Sequence, residues 1–169
     1  PQMREQNIPF TASRLKPNTN MLTYWSGIDM IENNVRTIPK LLEVTPVQGA
    51  FQIGETVRGL AVSTQNNSQS ADIRFRVCQP NHKFGPFNNP IITYPSNPYD
   101  GETVPSSYSS TSTTLNVDTF SLADQPQGPY WGWVEEDMIL VGETSGALAV
   151  VNNIRLVSDI GANLLGSLY

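Results

Sequence analysis

Helix breakers recur along this chain, and they constrain its fold more than any other feature. The 169 residues include 13 prolines and 12 glycines spread from end to end. Few stretches could hold a helix beyond two or three turns, because proline inside a helix removes a donor and clashes with the preceding turn. A helical bundle is not expected. β-structure is, and its cleanest mark is the run Ala71 to Val77. There Ile73, Phe75 and Val77 alternate with Asp72, Arg74 and Arg76. That period of two predicts a half-buried strand with Phe75 inside and both arginines outside.

Other runs carry the same signature less cleanly. Ile8 to Leu15 reads as a short strand closed by the turn signal Lys16-Pro17-Asn18-Thr19-Asn20, and Met21 to Trp25 follows as a second strand in a hairpin-like opening. Lys40 to Thr45 and Ala50 to Ile53 flank Pro46-Val47-Gln48-Gly49. In Thr56 to Val62, the residues Val57, Gly59 and Ala61 share a face. Leu115 to Phe120 and Met138 to Leu156 alternate again. Between Val77 and Leu115, 79–114 holds Pro80, Pro86, Pro90, Pro95, Pro98 and Pro105 and a Ser/Thr run at Ser109 to Thr114. It reads as a long meandering loop with a functional or covering role. The expected fold is all-β, a β-sandwich or small β-barrel with that long Pro/Ser/Thr-rich loop. One module over 1–169 is expected, with a subdivision into 1–78 and 115–169 as the variant. Gly54-Glu55-Thr56 is echoed by Gly142-Glu143-Thr144, and a second alignment sets Gly59 against Gly142 and Arg74 to Val77 against Ile154 to Val157. Both point to one small β-unit used twice.

Charge and chemistry exclude more than they assign. A net charge of -5 argues against a phosphate-binding surface, so no nucleic-acid role is expected. Cys78 is the single cysteine, which rules out an internal disulfide and a thiolate metal cluster, and it reads as a small buried or edge residue. No apolar run is long enough to cross a bilayer as a helix, and no membrane insertion is expected. His82 is the single histidine and reads as an exposed loop residue. Without a nucleophile elbow or a phosphate-cradling glycine loop, no catalytic residues, cofactor or metal are expected. Adjacent Glu135, Glu136 and Asp137 read as a solvated turn rather than as a catalytic pair or calcium loop. Tyr130, Trp131 and Trp133 could form a platform for sugar rings. The plainer expectation is that Trp131 or Trp133 fills the core.

Several phrases resemble large virion structural proteins of tailed bacteriophages, notably those infecting cyanobacteria. Phe10-Thr11-Ala12-Ser13-Arg14-Leu15-Lys16-Pro17-Asn18-Thr19 is similar to their F-T-A-x-x-L-K-P-N-T phrase, and Tyr24 to Asp29 matches the aromatic strand and Gly-x-Asp step that follows. Further similar stretches are Gly49 to Val57, Ile73 to Lys83, Ser107 to Thr119, Gly142 to Ala147 and Asn153 to Asp159. The resemblance implies a piece of a larger tail, baseplate or fibre protein, assembled in the host cytoplasm. Its expected partners are other virion tail proteins and further copies of itself, trimeric by analogy with fibres. The expected function is structural and non-catalytic. A module recognising host surface glycan is the alternative, and a polysaccharide-degrading domain the third reading.

Overall fold

The computed structural model describes residues 8–12, 24–25, 28–29, 35–61, 70–124, 129–132, 134–153 and 162–168. Its strands are β1 (Ile8–Ala12), β2 (Tyr24–Trp25), β3 (Ile28–Asp29), β4 (Val35–Pro39), β5 (Leu41–Gln48), β6 (Thr56–Ala61), β7 (Ser70–Arg76), β8 (His82–Phe84), β9 (Ile92–Thr93) and β10 (Thr114–Asn116). After the short helix α1 (Thr119–Asp124) come β11 (Trp131–Gly132), β12 (Ile139–Gly142), β13 (Leu148–Asn153) and β14 (Ala162–Leu168). The chain is all-β, as its alternation predicts. Seven strands form one curled antiparallel sheet in the order β10-β5-β13-β12-β6-β7-β11. Strands from both sides of 79–114 thus interleave in a single sheet.

The curl brings the sheet back onto itself at one end. Just past β7 and β10, Val77 and Val117 form an antiparallel bridge. The Cys78 amide donates to the Asn116 carbonyl at 2.9 Å, and the Asp118 amide to the Arg76 carbonyl at 2.9 Å. Side chains on the concave face fill the interior: Leu42, Val44, Val57, Ile73, Phe75, Val77, Leu115, Val117, Leu140 and Val151 are buried together. Gly59 belongs to this packing. A Cβ there would collide with Ile73 Cγ2 and lie 2.7 Å from Met138 Sδ, so the core leaves room only for hydrogen.

Four expectations need correction. The strand Ile8–Ala12 pairs with β14, not with the residues after its turn, and β14 in turn pairs with β4; Tyr24–Trp25 forms its own ladder with Ile28–Asp29. Second, β5 runs through Pro46, and 50–53 is not a strand. Proline lacks an amide donor, and the ladder absorbs it by shifting register between Leu148 and Ala149, opposite Gln48 and Pro46. Third, Leu115 to Phe120 is not one strand. Asp118 caps α1, its carboxylate accepting the Ser121 amide at 3.3 Å, and Phe120 is left exposed.

Last, 79–114 is more than a loop. It contains the β8–β9 ladder, and its Tyr94, Val104 and Tyr99 pack a second small core against Leu41. Leu41 and Leu42 are both fully buried because β5 is covered on both faces. The Tyr99 hydroxyl donates to the Leu41 carbonyl at 2.6 Å, tying this layer to β5.

Candidate functional site

Cross-strand register builds a polar row on the convex face of the sheet. Arg58 of β6 stands opposite Arg74 of β7, and Arg74 opposite Trp131 of β11. Residues directly opposite in a ladder point to the same face, so the inward packing of Val57, Ile73 and Phe75 throws these three outward. Glu143, just past β12, completes the row. Its carboxylate accepts two hydrogen bonds from Arg74, Nε to Oε1 at 3.2 Å and Nη2 to Oε2 at 3.0 Å, and lies 3.3 Å from Arg58 Nε. Hydrogen bonding to Arg74 holds the Glu143 carboxyl below the usual carboxylate range and raises the guanidinium in turn. A third Arg74 bond reaches the Pro129 carbonyl at 3.0 Å, and its Cζ lies 5.7 Å from the centre of the Trp131 ring.

The structure therefore places the aromatic candidates differently from one another. Trp131 does not fill the core; it remains 45% exposed on an edge strand, held beside a guanidinium. Tyr130 is half-buried and packs against the main core. Trp133 lies outside the described residues. Farther along β7, Arg76 donates from Nε at 2.8 Å and from Nη2 at 2.5 Å to Asp118, and stacks 4.3 Å from the Phe87 ring centre.

A second polar group is buried where the sheet closes. Lys40 Nζ donates to the Val117 carbonyl at 2.6 Å and lies 3.5 Å from Cys78 Sγ. Burial lowers the Lys40 pKa and pushes the Cys78 thiol up to about 11. His82 is not an exposed loop residue. It is 7% exposed, with Nε2 2.9 Å from the Gly85 carbonyl, and burial lowers its pKa, with the Lys40 charge acting the same way. Beside it the Asn116 amide donates to the Pro80 and His82 carbonyls at 2.9 and 2.8 Å, and the Tyr108 hydroxyl donates to the Cys78 carbonyl at 2.7 Å. Cys78 is fully buried, as expected of a small apolar residue, and a thiol held protonated away from solvent is a poor nucleophile. These groups fasten the 79–114 layer to the curled sheet.

Glu55 is the third. Its buried carboxylate accepts the amides of Gln52 at 2.6 Å, Ser145 at 2.9 Å and Thr144 at 3.1 Å, and the Ser145 hydroxyl at 2.8 Å. Gly142 pairs with Val57, and the Glu143 amide donates to the Thr56 carbonyl at 2.9 Å. The two Gly-Glu-Thr phrases are neighbours, one at the start of β6 and the other at the end of β12, its paired strand. Residues 154–157 of the second alignment lie outside the described residues.

Glu135 to Asp137 form the expected turn before β12, with Glu136 and Asp137 exposed and Asp137 at φ 64°. Among the described residues, no group of three or more His, Cys, Asp or Glu side chains could hold a metal ion. Comparison with protein-family models, with curated proteins and with solved structures finds no match for this chain.

Proposed function

We propose that the chain is a structural module of a bacteriophage tail, baseplate or fibre assembly, working through packing rather than turnover. The observation that carries the proposal is the use to which its reactive side chains are put. Glu55 spends its carboxylate on four donors from neighbouring turns, and Lys40, Cys78 and His82 are sealed where the sheet closes. Groups committed to fixing turns rigidify a fold, and a stoichiometric part of a particle needs rigidity. The tail location in this proposal rests on the ordered phrases that resemble phage tail proteins, with other tail proteins and further copies of the chain as proposed partners.

Quantitative mass spectrometry of purified particles tests the proposal. Peptides from this region should occur at a copy number comparable to other multi-copy tail proteins. Their confinement to the infected-cell lysate would contradict it.

A further inference from the structure

The convex face of β6 and β7 gathers arginines in a chain of net charge -5. Among the described side chains, Arg58, Arg74 and Arg76 pair there with the carboxylates of Glu143 and Asp118. Arg76 is committed to Asp118, and Arg74 to Glu143 and Pro129. Among the described residues, Arg58 pairs with Glu143 through Nε and keeps 47% of its side chain in solvent. Beside them stands an exposed indole: β11 is paired to β7, Arg74 flanks the Trp131 ring, and neighbouring Tyr130 packs against the main core.

We infer that Trp131 and Arg58 form a binding site for an acidic oligosaccharide, one sugar ring stacking on the indole and the carboxylate of a neighbouring sugar received by the Arg58 guanidinium. Spacing supports this pairing. Trp131 and Arg58 are in register across the intervening Arg74, and strands lie about 4.8 Å apart, so the two sit roughly 10 Å apart, the span of two linked pyranose rings. An aromatic face attracts the apolar C–H face of a sugar, and a planar guanidinium matches a carboxylate. The exposed Arg58 guanidinium favours acidic over neutral sugars, and Glu143 remains an acceptor for hydroxyls. Preorganisation reduces the ordering cost that weakens most surface sites.

The test is calorimetric titration of the folded chain with tetragalacturonate, with maltotetraose as the neutral control. Tetragalacturonate should bind, more weakly at high salt, and maltotetraose should bind at least about tenfold more weakly. Trp131→Ala and Arg58→Gln should each weaken tetragalacturonate binding about tenfold or more, and Trp131→Phe should restore much of the loss, since a ring remains to stack. Far-UV circular dichroism matching the parent confirms that each variant is folded. No binding by the folded chain, equal binding of the two saccharides, or unaltered affinity in both Trp131→Ala and Arg58→Gln would each overturn the inference. Particle composition is read independently, so failure here leaves the tail assignment to its own test.

Discussion

The Glu55 carboxylate accepts the backbone amide of Ser145 at 2.9 Å across 90 residues of sequence, locking the β12–β13 turn onto the turn that precedes β6. Glu55→Ala would leave three backbone donors without their acceptor, those of Gln52, Thr144 and Ser145. The expected loss is about 3 kcal/mol, because three part-buried amides and the Ser145 hydroxyl together lose a charged acceptor. Glu55→Gln keeps one acceptor oxygen and should cost less. Urea midpoints at an unchanged denaturant slope check both.

Phe75 and Arg74 test the register of β7. Phe75 is fully buried and Arg74 lies on the convex face, so Phe75→Ala should cost about 3 to 5 kcal/mol and Arg74→Ala less than about 1 kcal/mol. Equal costs would mean that the strand is out of register.

Gly59→Ala tests the packing of the interior of the curled sheet. The added methyl meets Ile73 and Met138, and should cost about 1 to 3 kcal/mol through overpacking, again read by urea unfolding.

How much of this was legible beforehand follows from how local each signal is. The Ile73 to Val77 alternation announced its own strand because a sheet with one buried face imposes period two on consecutive residues. By contrast, Tyr94 and Val104 are isolated among prolines, and only contact with Leu41, remote in sequence, makes them a core; 79–114 therefore reads as loop until β5 is in place. His82 is buried by that same layer. Exposure of Trp131 was equally hidden, since a tryptophan's size favours burial and nothing nearby in sequence reveals that Arg74 will stand beside it. The Arg58–Arg74–Trp131 row exists only in the strand register. Glu55 gave a partial sign through its Gly-Glu-Thr echo, although repetition alone could not show that the two phrases touch.

Acid should weaken the fold through His82. Its folded pKa lies below the ordinary value of 6.5, so the folded state binds fewer protons than the unfolded chain in the interval between the two. The contribution is fully present above 6.5 and is lost as pH falls through the depressed folded value. From about pH 7 to about pH 5, His82→Gln should therefore lose less stability than the parent. Parallel urea titrations at the two pH values measure the difference, and identical losses would exclude His82 as the source.

Location is the claim on which the functional account depends, and immunogold labelling of intact particles reads it most directly. Antibodies raised against this chain should decorate the tail end of the virion in electron micrographs, with gold absent from the capsid. Gold on the capsid alone, or particles left unlabelled by antibodies that recognise the folded chain in solution, would contradict the tail assignment.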